Sequence, residues 1–189
     1  ELKIPGFSTY MHLMDEEHLL TIGYEADDQG SFAWFSGIQL QIIDVSDLSD
    51  PRRIHKEVIG TRGSTSDAAT NHLAFNYLAS RDLLAIPMVI CEGSPRPGVY
   101  GHSMTFSGLL VYRVTVGDGF EGLGGVPHAS PQIANPYGTT CSNWWTRANS
   151  RVKRSIFMDD FVYSIALDRI NISSLDDLEH PVAAVVLTQ

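Results

Sequence analysis

The sequence predicts an all-β chain, a β-propeller or a partial propeller of about three four-stranded antiparallel blades. Three observations lead there. Short strands with period-2 hydrophobicity recur along the whole chain. An acidic turn closed by proline recurs at corresponding places. The second strand of a unit is apolar on both faces, as expected of sheets stacked face to face rather than of a sheet wet on one side.

The clearest unit is Gly37 to Pro51, GIQLQIIDVSDLSDP. Ile38, Leu40 and Ile42 alternate with Gln39 and Gln41, and Asp44, Ser46, Asp47 and Asp50 crowd the turn that follows. Short oxygen-bearing side chains there can bond the local backbone, and Pro51 presets φ for the exit. Arg169 to Pro181 repeats the unit, with Asp177, Leu178 and Pro181 where the first copy has Asp47, Leu48 and Pro51. Gly108 to Phe120 is a third strand of the same kind with a glycine-rich exit.

In chain order the first blade, about 7–60, has strands at Thr9–Leu13, His18–Glu25, the organising strand and Arg52–Ile59, with a loop from Asp27 to near Gly37. The second, about 70–127, has Asn71–Tyr77, Leu83–Ile90, Leu109–Val116 and a glycine-weakened Phe120–Pro127, with a loop from Cys91 to Ser107. Ser64–Thr70 has room for one helical turn. Pro87 cannot donate to a ladder, so it belongs at a bulge, a strand end or an unpaired site. A polar loop spans about His128 to Asn149. The third blade, about 151–189, has Ser155–Met158, Phe161–Leu167, Arg169–Ser173 and Val182–Leu187.

A chain of 189 residues with 43% hydrophobic and 19% charged residues suits one soluble globular domain. A net charge of −9 argues against nucleic acid as a partner, despite the basic run Arg147–Arg154. No apolar run is long enough to span a bilayer, so no membrane insertion is expected. The chain begins at Glu1 without a leader pattern, which suggests a processed protein or a piece of a longer one. Cys91 and Cys141 leave two alternatives open, a single bridge in an oxidising compartment or two independent thiols.

QIIDVSDLSDP resembles the repeat of secreted propellers whose blades read as a hydrophobic strand, Asp-Val-Ser-Asp and then proline (the LVIVD type). HKEVIGTRG (His55–Gly63), NHLAF (Asn71–Phe75), LLAIP (Leu83–Pro87) and RSIFMDDFVYSIA (Arg154–Ala166) are similar, in this order, to the C-terminal β-propeller domain of secreted bacterial and archaeal proteins distantly related to WD40 repeats. The resemblance covers roughly Thr9 to Leu178. It implies a propeller and a secreted, cell-surface or periplasmic location, and it implies no catalytic residues. Three blades are fewer than a closed ring needs, so two lateral faces are expected to meet either further blades of a longer parent chain or a second copy.

No catalytic residue is assigned. Gly101-His102-Ser103-Met104-Thr105 nearly matches a nucleophile elbow but lacks the final glycine and the strand-before, helix-after context. The enzyme alternative is a hydrolase whose site is completed by blades outside this chain. The seven histidines show no metal-ligand spacing, and His72 is expected to hydrogen-bond a turn. Asp27 with Asp28, or Asp44 with Asp47 and Asp50, are possible calcium ligands, but repetition favours turn capping, so no cofactor is expected. The long loops carry Tyr100 and His102, and Tyr137, Trp144 and Trp145, the expected contacts for a protein or carbohydrate ligand. The other reading of Trp144 and Trp145 is a plug for the hydrophobic edge between blades. The expected function is therefore a non-enzymatic exported scaffold.

Overall fold

The computed structural model describes residues 5–94, 96, 98–128, 141 and 150–187. Among the described residues, twelve strands form three separate four-stranded sheets, each an antiparallel meander in sequence order. The first contains β1 (Phe7–Leu13), β2 (His18–Asp28), β3 (Ala33–Asp44) and β4 (Arg52–Ile59). The second contains β5 (Asn76–Leu78), β6 (Leu83–Glu92), β7 (Ser103–Thr115) and β8 (Gly119–Pro127). The third contains β9 (Val152–Met158), β10 (Phe161–Ala166), β11 (Arg169–Ser174) and β12 (Ala183–Val186). These are three blades, and the second lies between the other two.

Each seam between blades is made by one face of the period-2 pattern. Leu20, Ile22, Leu40 and Ile42 of the first blade pack with Leu84, Ile86, Met88 and Tyr112 of the second. The opposite face of the second blade presents Ala85, Leu109 and Val111 to Val152, Val162 and Leu178 of the third. Each fully buried aliphatic side chain contributes about 1.5–3 kcal/mol. The two-sided burial of β6 explains why LLAIPMVI lacks polar alternation.

Polar ties cross the second seam as well. Lys153 Nζ lies 3.1 Å from Asp67 Oδ1, and the Ser150 hydroxyl donates to the other oxygen of Asp67. Asn76 Nδ2 donates to the Ser155 carbonyl at 3.1 Å. Arg81 donates to the Asp159 carbonyl and, at 3.1 Å, to Asp160 Oδ1.

Four expectations change. The stretch from Asp27 to Gly37 is no loop: β2 runs on to Asp28 and β3 starts at Ala33, joined by a short turn in which Gln29 N–H donates to the Phe32 carbonyl. Asn71–Tyr77 is not one strand. Asn71 Oδ1 accepts from Leu73 N–H at 3.1 Å and caps a single 3₁₀ turn, His72–Ala74, which leaves only Asn76–Leu78 as strand. The bonding expected of His72 is thus done by Asn71, and His72 itself is exposed, its ring 6.4 Å from that of Tyr10. The Cys91–Ser107 loop is shorter than expected, because β6 continues through Glu92 and β7 begins at Ser103.

Pro87 follows from the shortness of β5. It lies within β6, opposite Leu109, and its carbonyl accepts from Ser66 Oγ at 2.6 Å on the edge that β5 leaves open. Thr65 pairs with Val89 on that edge, and Ser64 Oγ accepts from Cys91 N–H. Residues 64–66 therefore stand in for the missing part of the strand, and no ladder donor is needed at 87. The helical turn expected in Ser64–Thr70 is a 3₁₀ turn at Asp67–Ala69, capped by Ser66.

Candidate functional site

The β2–β3 turn and the β6–β7 connection lie at the same end of their blades, because both join a second strand to a third. Between them is a groove of about 590 Å³. Asp27, Asp28 and Trp34 come from the hairpin, and Ser94, Gly98 and Val99 come from the connection. Arg62, just after β4, completes it.

Arg62 organises this end. Its guanidinium carbon lies 4.6 Å from the Tyr100 ring centroid and 5.5 Å from that of Trp34, within cation–π range of both. Its Nη1 donates to the Gly98 carbonyl at 2.7 Å. Gly98 has φ +80°, and a Cβ there would come within 2.3 Å of the Trp34 ring. Only glycine fits both demands. Phe32 meets Trp34 edge-on, with centroids 5.3 Å apart. The aspartates are shaped by local bonds: Asp27 accepts from Gln29 Nε2 at 2.9 Å and Asp28 from Gly30 N–H at 2.8 Å. Glu25, on the groove wall, is held by Lys56 at 2.6 Å. The groove thus combines an aromatic wall, an acidic rim and a fixed guanidinium, groups suited to hydrogen bonding and stacking of a polar ligand.

The expected contact residues divide. Tyr100 joins the site through Arg62. His102 does not line the groove: it is exposed, its ring lies against Gly93, and its N–H donates to the Glu92 carbonyl at 2.9 Å. Tyr137, Trp144 and Trp145 lie outside the described residues. Ser103 opens β7 opposite Glu92 and is followed by strand, so the elbow context is absent. Sequence reasoning missed Trp34 and Arg62. For Trp34 the signal was there in Phe32, Trp34 and Phe35, three aromatics within four residues just after the turn glycine Gly30.

Cys91 and Cys141 form a disulfide, Cα–Cα 5.8 Å, that is fully buried beside Val89 and Met104. It pins residue 141 to the end of β6 near the groove; a Cβ on Gly63, next to Arg62, would strike the Cys141 carbonyl. The repeated aspartates bond their own turns. Asp44 Oδ1 accepts from Ser46 N–H and Oγ at 2.9 and 2.6 Å, and Asp47 Oδ1 from Ser49 in the same way. Those serine bonds hold both carboxyls below the usual carboxylate range. Among the described residues no three His, Cys, Asp or Glu side chains converge as metal ligands. No helix among them is long and apolar enough to cross a membrane.

Three stacked meanders with apolar two-sided seams define a propeller-type chain. A family model described as "Beta propeller domain" matches residues 1–178, and the chain belongs to that family. An uncharacterized protein of Archaeoglobus fulgidus is 31% identical over 87 residues, which are 46% of this chain and 12% of the relative. The matched segment is thus a small part of that relative's length. No solved structure gives a significant match.

Proposed function

We propose that this chain is part of an exported, non-catalytic binding scaffold, and that the groove walled by Trp34 and Arg62 receives a protein segment or a carbohydrate. The observation that carries this reading is the contact of the Arg62 guanidinium with both the Trp34 and the Tyr100 rings, which sets an aromatic wall and a cation at a groove of about 590 Å³ between two blades. Asp27 and Asp28 add acceptors for sugar hydroxyls or for peptide N–H and cationic groups. Export is supported by the Cys91–Cys141 disulfide, a bond that persists in oxidising compartments. The position of Ser103 at the start of a strand, with no helix after it, supports a scaffold over a hydrolase.

The test is retention on arrays of immobilised oligosaccharides and of peptides, comparing the chain with its Trp34→Ala variant. The reading expects a retained probe, sugar or peptide, whose affinity drops about tenfold or more in the variant, the scale of an interface aromatic. Binding of no probe, or equal binding by the two proteins, overturns it. Circular dichroism on both proteins separates loss of the wall from loss of the fold.

A further inference from the structure

Arg62 is half-buried, and its guanidinium has one hydrogen-bond acceptor among the described residues, the Gly98 carbonyl. It forms no ion pair with them, although Glu25, Asp27 and Asp28 line the same groove. Glu25 is taken by Lys56, while Asp27 and Asp28 accept from Gln29 and Gly30 within their own hairpin. Arg52, Arg81, Arg113 and Arg169 behave differently, each holding a carboxylate within 3.3 Å. Those four pairs are exposed, where such contacts add little to stability. Arg62, by contrast, is set in place by two aromatic rings and a carbonyl, and most of its N–H donors are left over.

Arg96 lines the groove too, and its side chain is paired with no described residue. Its carbonyl accepts from Ser94 Oγ at 2.8 Å and from Val99 N–H at 3.2 Å, so the turn that carries it is closed on itself. The groove thus keeps unpaired charge of both signs on different segments: aspartates on the β2–β3 hairpin, guanidiniums after β4 and on the β6–β7 connection. A carboxylate suits the planar fork of Arg62, which can bond both oxygens at once. A polyanion does not suit the groove as a whole, because it would face Asp27 and Asp28 on a chain of net charge −9. A neutral sugar would give the spare donors of Arg62 only uncharged acceptors, which are the weaker kind. A polypeptide segment with an acidic side chain beside basic ones satisfies both sets of charges.

We propose that the groove takes a mixed-charge peptide segment, with a glutamate or aspartate carboxylate on the Arg62 guanidinium and lysine or arginine side chains on Asp27 and Asp28. Arg62 is the specificity-determining residue of that site, and Arg96 adds positive charge to the same pole. This rests on the groove being the binding site, and it names the partner class as polypeptide rather than sugar.

The test is fluorescence anisotropy of four labelled Gly-Ser peptides of equal length, titrated with the 189-residue chain. One carries Glu and Lys, one has Gln for each Glu, one has Gln for each Lys, and one has Gln for both. The Glu–Lys peptide is expected to bind tightest, about tenfold or more above the uncharged one, and to weaken as salt is raised. Arg62→Gln is expected to remove the preference for Glu over Gln while the preference for Lys over Gln stays. The joint variant Asp27→Asn with Asp28→Asn should do the reverse. Both effects are ratios within one protein, so a partly unfolded preparation does not imitate them. Arg96→Gln, a change at an exposed side chain, should reduce the Glu preference by less than Arg62→Gln does. Equal affinity for the four peptides, or a Glu preference that survives Arg62→Gln, overturns the inference. An oligosaccharide whose retention is lost in Trp34→Ala, with none of the four peptides bound, overturns it and leaves the groove standing as the binding site. Binding of neither peptide nor sugar overturns both readings.

Discussion

His128 Nε2 lies 2.7 Å from Ser164 Oγ, a buried pair that joins the end of the second blade to the middle of the third. Ser164 Oγ donates onward to the Asn171 carbonyl at 3.4 Å, so a neutral ring with its proton on Nε2 donates to the hydroxyl and completes the chain. Burial first, and the positive charge of Arg169 second, bring the His128 pKa down to about 4. Above the ordinary value of 6.5 the ring is neutral whether the chain is folded or not. Between 6.5 and about 4 the unfolded chain takes up a proton that the folded one refuses, so stability falls as pH falls through that window. The loss is of order 2 kcal/mol once solvent screening is allowed for. Urea melts at pH 7 and pH 4.5 check this; His128→Gln keeps a donor, cannot titrate, and should show a smaller acid loss.

The two repeat leucines should respond differently to truncation. Leu178→Ala opens a cavity between blades and is expected to cost about 2–4 kcal/mol. Leu48→Ala removes a side chain that is 85% exposed and should stay within about 0.5 kcal/mol. Denaturant midpoints of the two variants of the 189-residue chain decide it. Equal losses would mean that Leu48 has a seat within these residues.

How far this arrangement can be read before folding differs between scaffold and site. Strand period and the Asp-Leu-x-x-Pro repeat lie within contiguous stretches, so three meanders and their order are legible from residues such as Ile38–Ile42 and Ile170–Ile172. The groove is not, because its parts are far apart in the chain. Arg62 finds Gly98 36 residues away and Trp34 on a different strand, contacts that no local pattern records. The hairpin was hidden by Gly30 and Ser31, turn residues that read as the start of a longer loop. Asn71–Phe75 looks like a strand by composition, but one local bond from the Asn71 side chain to Leu73 N–H diverts it into a 3₁₀ turn.

The aspartate turns should behave as structure rather than as metal ligands. Asp44 and Asp47 each spend one oxygen on a serine N–H and hydroxyl in their own turn. Asp47→Ala should lower the melting temperature by less than Leu178→Ala does. Adding millimolar calcium to the unmodified chain should leave the melting temperature unchanged, since a ligand that does not bind the folded state cannot stabilise it. A calcium-dependent rise that disappears in Asp47→Ala would assign these turns to the cation instead.

Gly98 is the sharpest probe of the groove itself. Its φ of +80° disfavours any L side chain, and a Cβ there would strike the Trp34 ring at 2.3 Å, with Arg62 bonded to the carbonyl of the same residue. Gly98→Ala should therefore separate Trp34 from the connection and release the guanidinium, at a cost of about 1–3 kcal/mol if the strained backbone is kept and less if the exposed connection moves. Near-ultraviolet circular dichroism should lose aromatic signal while the far-ultraviolet strand signal stays, because the three sheets do not depend on this contact. An unchanged aromatic spectrum would show that the setting of the Trp34 ring does not depend on its close approach to Gly98.

The disulfide closes a separation of 50 residues, which includes the whole β7–β8 hairpin. Chain-entropy arguments put its contribution at up to about 4 kcal/mol, through the freedom that the unfolded chain loses. Paired replacement, Cys91→Ser with Cys141→Ser, also removes buried sulfur contacts with Val89 and Met104. The double variant is expected to melt well below the oxidised protein, and reduction of the unmodified chain should lower its melting temperature in the same direction. Because Gly63, the residue after Arg62, sits against the Cys141 carbonyl, loss of the bond should also raise proteolysis near Arg62 before the strands open. Equal cleavage rates at Arg62 with and without the bond would separate the groove from the disulfide and leave only its contribution to overall stability.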